Sequence, residues 1–244
     1  MTTLVLGGNG QVGQELLRAL APLGNVQATT RSGTLPDGRA CLQADFADAD
    51  AVVAVLDTVR PARVINAAAY TAVDKAESDA AMAHNVNAVS PGVLAEEAAA
   101  GNAWLVHYST DYVFDGTKEG AWVETDAVNP LSVYGRTKYD GEQRIAASGA
   151  RHLILRTSWV FAPRGGNFAK TMLRLAKERE TLNVVADQHG APTGAELLAD
   201  VTALALHRIA APGTNAQHLS GVYHLAAAGS TTWHAYAQHV LAQA

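Results

Sequence analysis

A tyrosine and a lysine four residues apart, Tyr134 and Lys138, stand near the start of a segment with helical periodicity. Residues at this spacing lie on the same face of a helix, so the phenol and the amine are expected to be neighbours. A phenol with an ordinary pKa of about 10 is a poor acid at neutral pH, and a nearby ammonium pulls that pKa toward neutrality. The pair predicts a general acid that protonates a developing alkoxide, although the spacing alone is equally typical of an exposed helix pair.

Hydroxyl side chains follow the apolar run Trp104–Tyr108, as Ser109 and Thr110. Open parallel sheets bind their ligands at the carboxyl ends of the strands. A hydroxyl from either residue can hydrogen-bond a substrate carbonyl and hold it near Tyr134. We therefore predict a catalytic set of Thr110, Tyr134 and Lys138 for the reduction of a carbonyl group.

Three glycines, Gly7, Gly10 and Gly13, lie between the first apolar run and the first helical segment. A turn without Cβ atoms lets a pyrophosphate approach the backbone, and the helix N-terminus supplies N–H groups and a favourable dipole. Glycines also form turns with no ligand, but this position between strand and helix favours a dinucleotide site.

The end of the second apolar run predicts which dinucleotide is used. Enzymes that use NAD commonly carry an acidic residue there, which binds the ribose 2′-hydroxyl. This chain has Arg31 and no carboxylate, and a guanidinium can pair with a 2′-phosphate. We expect NADPH to be preferred, with NADH also usable. A solvated surface arginine is the alternative.

Short β-branched runs alternate with alanine- and leucine-rich helical segments, which predicts an α/β fold with a Rossmann-type, doubly wound parallel sheet. A dinucleotide-binding domain is expected over residues 1–158, with its sheet completed by later segments. A smaller substrate lobe is expected over residues 159–244. Predicted strands are Thr3–Gly7, Val26–Thr30, Ala40–Gln43, Arg63–Asn66, Trp104–Tyr108, His152–Thr157, Asn183–Ala186 and Val222–Ala226. Predicted helices cover 11–22, 48–59, 79–100, 132–148, 167–179, 194–210 and 231–243.

Composition narrows the class of protein. The 244 residues carry a net charge of −5, which argues against a nucleic-acid binder that neutralises phosphates. Cys41 is the only cysteine, so no disulfide forms within the chain and a reducing compartment is expected. The first ten residues are typical of a strand and not of a signal peptide, and no apolar run approaches the ~20 residues that span a bilayer. A cytoplasmic location is expected, with no membrane partner.

The motifs together resemble the extended short-chain dehydrogenase/reductase superfamily, and within it the family of dTDP-4-dehydrorhamnose reductases. The resemblance runs from residue 1 to about residue 240. It rests on GGNGQVGQ at 7–14, ADF at 44–46, NAAAYTAVDKAE at 66–77, STDYVFDG at 109–116, YGRTK at 134–138, RTSWVF at 156–161, GGNF at 165–168 and ADQHGAPT at 186–193.

The resemblance implies a role for each matching position. Lys138 would also bind the nicotinamide ribose beside Tyr134. Further cofactor contacts are implied at Gly10, Gln11 and Val12 for the pyrophosphate, Asp45 and Phe46 for adenine, and Ala69, Tyr70, Thr71 and Tyr108 for the nicotinamide. The sugar would meet Thr110, Asp111, Val73 and Trp159.

Two features depart from the family pattern. Its members commonly continue beyond Ala244, so the substrate lobe is expected to be shortened at its C-terminus. Some members bind Mg²⁺ through glutamates at a dimer contact, and Glu15 and Glu196 match two of those positions. Glutamates on helices more often face solvent, so no metal site is expected. The chain is expected to be a monomer or a homodimer.

The implied reaction is the NAD(P)H-dependent reduction of the C4 ketone of dTDP-4-dehydro-L-rhamnose to dTDP-L-rhamnose. A nucleotide-sugar dehydratase would need an acid directly after Asp111, where this chain has Tyr112. A nucleotide-sugar epimerase stays open, because it uses the same tyrosine and lysine. A non-catalytic, NADP-binding regulatory subunit is a further alternative.

Overall fold

The computed structural model describes all 244 residues. Its main sheet contains seven parallel strands: β1 (Thr2–Leu6), β2 (Asn25–Thr30), β3 (Leu42–Gln43), β4 (Arg63–Asn66), β5 (Trp104–Thr110), β6 (Arg151–Thr157) and β10 (Gly221–His224). Four two-residue strands lie outside it: β7 (Val160–Phe161), β8 (His189–Gly190), β9 (Thr193–Gly194) and β11 (Thr231–Thr232). The order across the main sheet is β10-β6-β5-β4-β1-β2-β3. The chain changes direction across the sheet between β1 and β4, where doubly wound sheets bind their ligands.

Nine α-helices accompany the strands. They are α1 (Gln11–Ala19), α2 (Ala49–Val59), α3 (Val73–Ala76), α4 (Ala80–His84), α5 (Ser90–Ala100), α6 (Val133–Ala147), α7 (Phe168–Glu178), α8 (Ala195–Ala210) and α9 (Trp233–Ala242). The Rossmann-type, doubly wound fold expected from the sequence is confirmed.

Both faces of the main sheet are buried, as the apolar strands require. Successive side chains of a strand point to opposite faces, and β1 shows the result. Leu4 and Leu6 pack under α2, α5 and α6, in a cluster that includes Ile145. Val5 packs on the other face, with Leu16 of α1 and Leu198 of α8. The two layers hold the carboxyl ends of the central strands in register.

The helix predicted over 79–100 is interrupted by a π-helical segment, Asn85–Val89. An α-helix would pair the Asn87 carbonyl with the backbone N–H of residue 91, but Pro91 has none. Helix α6 also packs directly on this segment, because a Cβ on Gly141 would overlap the Asn87 carbonyl oxygen. The irregular turn therefore follows from proline chemistry and close packing.

The prediction of a strand at Asn183–Ala186 is wrong. This segment lies in an irregular stretch with Val185 half exposed. Its Val185 carbonyl accepts a backbone hydrogen bond from His234. A β-branched run forms a strand only where a neighbouring strand offers hydrogen-bond partners. No strand pairs with residues 183–186.

Two later segments return to the main sheet. Strand β10 pairs in parallel with β6, and α8 packs along α1, where Arg18 bonds Asp200 at 2.8 Å. The remaining segments form a small lobe with α7, α9 and the pairs β7–β9 and β8–β11. The division at residue 158 stays a prediction. No helix has the length and apolar character needed to cross a membrane.

Candidate active site

Helix α6 carries Tyr134 and Lys138 along the carboxyl ends of β5 and β6. The helix begins at Ser132, whose hydroxyl accepts a hydrogen bond from the Gly135 backbone N–H at 3.0 Å. A Cβ on Gly135 would overlap the Tyr112 carbonyl oxygen, so this glycine lets α6 approach the segment after β5. The close approach buries both side chains at the sheet edge, with Tyr134 9% and Lys138 1% exposed.

The side-chain nitrogen of Lys138 lies in a buried polar pocket. Its Nζ donates to the Tyr108 carbonyl oxygen at 2.6 Å and lies 3.1 Å from His107 Nε2. Burial lowers the pKa of Lys138 to about 8, and the negative charge of Glu142 acts in the opposite direction. A buried lysine with a pKa near neutrality can change its protonation state during turnover.

The Tyr134 phenol keeps its proton at neutral pH. Burial is the largest cause of its raised pKa, the charges of Asp111 and Tyr112 add to it, and a hydrogen bond with Thr110 works against it. The sequence led us to expect that Lys138 would pull this pKa down. The structure differs because Lys138 is engaged with β5 and desolvation dominates.

Thr110 and Asp111 lie where β5 ends, as the sequence predicts for a substrate-facing edge. The Thr110 hydroxyl donates to Asp111 Oδ1 at 3.1 Å and accepts from the Tyr112 backbone N–H at 3.2 Å. Burial raises the pKa of Asp111 to about 6. Thr110, Tyr134 and Lys138 therefore come from one strand end and one helix, which brings the predicted catalytic set together.

Two buried polar residues beside this set were not singled out from the sequence. His107 Nδ1 lies 2.9 Å from Asn66 Nδ2, and its Nε2 faces Lys138. Both residues are 1% exposed. A histidine inside a strand that is otherwise apolar was the available signal, because buried polar groups need partners.

The glycine turn between β1 and α1 fits a dinucleotide pyrophosphate. Gly7 has a φ of 80°, which favours glycine, and a Cβ on Gly13 would overlap the Gly7 carbonyl oxygen. Helix α1 starts after Gly10 without a side-chain cap, so no side chain occupies its N-terminus. Gln11 and Val12 form the first turn there, and Gln11 also accepts a hydrogen bond from Asn167 at 2.9 Å.

We expect Gly13→Ala to raise the dissociation constant for NADPH by at least about 10-fold, because the new Cβ would overlap the Gly7 carbonyl oxygen. An overlap of this kind costs about 1–3 kcal/mol or more, as overpacking of a protein core does. Cofactor-dependent quenching of tryptophan fluorescence measures the dissociation constant. The control is Gly194→Ala, also at a helix start, where the nearest atom to a Cβ is Phe161 Cζ at 4.0 Å. Equal affinity in both variants would contradict the assignment of the turn.

The residues predicted for the adenosine end lie at the carboxyl ends of β2 and β3. Arg31 and Asp45 are exposed, while Phe46 is half-buried against the core beneath α2. A cleft of about 490 Å³, which none of these three residues lines, opens between α1 and the loop after β2. Arg39 and Arg164 line this cleft and were not singled out from the sequence.

The loop after β4, which carries Ala69, Tyr70, Thr71 and then Val73, is held by the π-helical segment. Asn87 Oδ1 accepts from the Tyr70 backbone N–H at 2.9 Å, and its Nδ2 donates to the Tyr70 carbonyl at 3.0 Å. The same amide nitrogen lies 3.2 Å from the Thr137 hydroxyl on α6. Asn87 therefore joins the loop after β4 to the helix that carries Tyr134.

Two predicted contact residues are engaged within the protein. The Tyr108 phenol is buried and lies 2.6 Å from the Thr202 hydroxyl on α8, so only its carbonyl reaches Lys138. Trp159, with a φ of 45°, stacks on Trp233 of the small lobe at a centroid distance of 3.5 Å. Its half-buried ring lies in the aromatic cluster of that lobe.

The two glutamates considered for Mg²⁺ lie on two packed helices, Glu15 in the middle of α1 and Glu196 at the start of α8. Glu15 on α1 bonds Arg18 at 2.9 Å, and Glu196 occupies the exposed first turn of α8. No group of three or more histidine, cysteine, aspartate or glutamate side chains is placed to hold a metal ion.

Comparisons with known proteins agree with this arrangement. The family model described as RmlD substrate binding domain matches residues 1–244. The dTDP-4-dehydrorhamnose reductases of Shigella flexneri and of Escherichia coli strain K12 are each 52% identical over all of this chain and 78% of their own length.

Solved structures of dTDP-4-dehydrorhamnose reductases are also similar to this chain. The dTDP-4-dehydrorhamnose reductase from Clostridium acetobutylicum has a TM-score of 0.86 and 34% identity, over 99% of this chain and 80% of that one. The enzyme of the same name from Bacillus anthracis, in complex with NADP, has a TM-score of 0.85 and 33% identity over the same shares. With the glycine turn and the buried Tyr134 and Lys138 in place, this chain belongs to the dTDP-4-dehydrorhamnose reductase family.

Proposed function

We propose that this protein reduces the C4 ketone of dTDP-4-dehydro-L-rhamnose to dTDP-L-rhamnose with NADPH or NADH. Family membership supports the reaction, and a relative solved with NADP supports the cofactor. The observation that carries the proposal is the buried Tyr134, which keeps its proton beside Thr110 at the carboxyl edge of the sheet. A carbonyl reductase needs such a proton donor at this place.

The nicotinamide supplies the hydride, and the protein supplies position and a proton. Gly7, Gly10 and Gly13 would cradle the pyrophosphate, with Gln11 and Val12 at the helix N-terminus. Lys138 would bind the nicotinamide ribose. The remaining contacts proposed for the cofactor are Arg31, Asp45, Phe46, Ala69, Tyr70, Thr71 and the backbone of Tyr108.

Tyr134 would donate its proton to the oxygen that becomes the new hydroxyl. Because burial keeps the phenol protonated, Tyr134 can donate its proton without first taking one up from solvent. The Thr110 hydroxyl would turn its proton from Asp111 to the same oxygen before transfer, which positions the ketone and stabilises its developing charge. Asp111, Val73 and Trp159 are proposed to contact the sugar.

Arg31 is proposed to select NADPH through its 2′-phosphate. We expect Arg31→Ala to raise the KM for NADPH by about 10- to 100-fold and to leave that for NADH within about twofold, since a charge-assisted hydrogen bond contributes about 1.5–3 kcal/mol. Initial rates with each cofactor measure the change, and Arg208→Ala on the exposed end of α8 is the control. A parallel loss with both cofactors would contradict selection by Arg31.

The decisive test is the loss of NADPH absorbance in purified protein supplied with dTDP-4-dehydro-L-rhamnose. Turnover that forms dTDP-L-rhamnose is the expected result. NADPH that binds without being oxidised would instead support a non-catalytic, NADP-binding regulatory subunit. Interconversion of sugar epimers with no net use of cofactor would support an epimerase. Absorbance does not change in the last two cases, so NADPH binding and the sugar products are measured beside it to separate all three functions.

A further inference from the structure

A chain of three buried polar side chains crosses the carboxyl end of the sheet, from Asn66 on β4 through His107 on β5 to Lys138 on α6. Asn66 Nδ2 lies 2.9 Å from His107 Nδ1, and His107 Nε2 lies 3.1 Å from Lys138 Nζ. Each side chain is 1% exposed. At this depth a donor without an acceptor is costly, because water is not available to replace a missing partner.

The orientation of the chain is set at the Asn66 end. Asn66 Oδ1 accepts a hydrogen bond from the Ala68 backbone N–H at 3.1 Å, so the amide nitrogen faces the imidazole. An amide NH₂ group only donates, and His107 Nδ1 must therefore be the acceptor and carry no proton. Turning the Asn66 amide over would set its NH₂ against the Ala68 N–H, and this loses one hydrogen bond.

The direction of the remaining bond follows from the imidazole. A neutral histidine with a bare Nδ1 has its proton on Nε2, which faces Lys138 Nζ. An ammonium has three donors and no acceptor, so it would meet this N–H donor to donor. A neutral amine has a lone pair that accepts it, while one of its own N–H groups donates to the Tyr108 carbonyl at 2.6 Å.

We propose that His107, locked by Asn66 in the tautomer with its proton on Nε2, donates to Lys138 and holds it as a neutral amine in the cofactor-free site. His107 is thus a positioning residue that acts through Lys138. Above about pH 8, Lys138 is then charged only when a ligand offers acceptors in place of the imidazole.

The titratable groups around Lys138 agree with this assignment. Burial holds the pKa of His107 well below its ordinary value, and a charged Lys138 would lower it further, so the imidazole is neutral in either state of the lysine. Glu142, on the same helix, favours the ammonium, but Arg156 from β6 bonds this carboxylate at 2.6 Å and offsets its charge. Tyr134 is protonated and neutral. Burial of Lys138 therefore prevails.

A consequence for binding rests on the proposed function, in which Lys138 donates to the nicotinamide ribose. The ribose hydroxyls offer acceptors to Nζ, and an ammonium serves them better than an amine. NADPH binding should therefore be coupled to the uptake of one proton from solvent by Lys138. Without the His107 Nε2 donor, Lys138 should already be an ammonium before NADPH binds, and the proton uptake should disappear.

The first experiment examines the cofactor-free protein alone, by ¹⁵N NMR of the histidine rings at about pH 9, where a lysine of ordinary pKa would still be charged. We expect His107 to show a protonated Nε2 and a bare Nδ1. The Asn66→Asp variant should invert this pattern, because a carboxylate accepts from both Ala68 and His107 Nδ1. A wild-type His107 with its proton on Nδ1, or with both nitrogens protonated, would overturn the proposal.

The second experiment measures proton uptake on NADPH binding, by calorimetry at about pH 9 in two buffers of different ionisation enthalpy. We expect about one proton per site for the wild type and close to none for His107→Gln, whose amide oxygen can accept from an ammonium. His152→Gln, the same change on the neighbouring strand β6, should behave as the wild type. NADPH that binds with equal uptake in all three proteins would overturn the role of His107. Failure to oxidise NADPH would bear only on the proposed function, since the NMR result does not depend on turnover.

Discussion

Tyr134→Phe is expected to lower kcat about 1,000-fold while NADPH affinity stays within about twofold. The phenol is buried beside Thr110 and is the proposed proton donor, and a positioned general acid contributes about 10²–10⁴ in rate. The ring itself packs against Tyr112 at a centroid distance of 5.7 Å, and phenylalanine keeps this contact. Steady-state oxidation of NADPH gives kcat, and fluorescence quenching gives the affinity.

Tyr139→Phe is the matched control, because it removes a half-buried phenol from the same helix, one residue beyond Lys138. It should retain nearly full activity. If Tyr134→Phe kept more than about a tenth of the wild-type kcat, general acid catalysis by this phenol would be refuted. A matching loss in both variants would point to damage to α6 instead.

Glu142→Gln is expected to lower the free energy of unfolding by about 3–5 kcal/mol, because it leaves the Arg156 guanidinium buried without a counter-charge. The two side chains are 3% and 5% exposed, and Arg156 donates through Nε at 3.0 Å and through Nη2 at 2.6 Å. This pair ties α6 to β6. Urea unfolding followed by circular dichroism measures the change.

Two further variants test the cause. Glu178→Gln breaks the exposed pair with Arg174 on α7 and should cost less than about 1 kcal/mol. Replacing Glu142 with leucine and Arg156 with methionine together should recover most of the loss, because neither buried charge remains. If the double variant is no more stable than Glu142→Gln, the loss of stability comes from altered packing and not from an unpaired buried charge.

The strands that carry the site were predictable because each is a short apolar run bounded by helical periodicity. The predicted bounds of β4, Arg63–Asn66, match the structure at both ends, and those of β5 differ from it only at the carboxyl end. There the sequence placed Ser109 and Thr110 just after the strand, whereas pairing with β6 continues through Thr110. The alignment of Thr110 with Thr157 is a property of two strands, which no single segment contains.

The placement of Tyr134 and Lys138 on one helix was predictable for a local reason, since four-residue spacing brings side chains together on any helix. Their electrostatics were not. The expectation that Lys138 would acidify Tyr134 took no account of burial, which is the largest cause of the pKa shift of both groups. The degree of burial depends on Gly135 and Gly141, whose missing Cβ atoms matter only once their neighbours are in place.

The buried polar partners were beyond the reach of sequence patterns. Asn66, His107 and Lys138 are separated by 41 and 31 residues and meet only after β4 and β5 pair and α6 docks. Asn87 lies inside a run that reads as one continuous helix, and its contact with the loop at Tyr70 follows from the π-helical turn. Long-range side-chain pairing carries no periodic signal.

The late return of the chain to its main sheet sets the order in which the protein can fold during synthesis. Strand β6 is complete at Thr157, but its outer neighbour β10 begins at Gly221. Until the ribosome has released that segment, β6 presents an open row of backbone donors and acceptors, the kind of edge that pairs with other chains. α8, which covers α1, also emerges late. Contacts of such long sequence separation slow folding, so the nascent chain is exposed to aggregation until β10 has emerged.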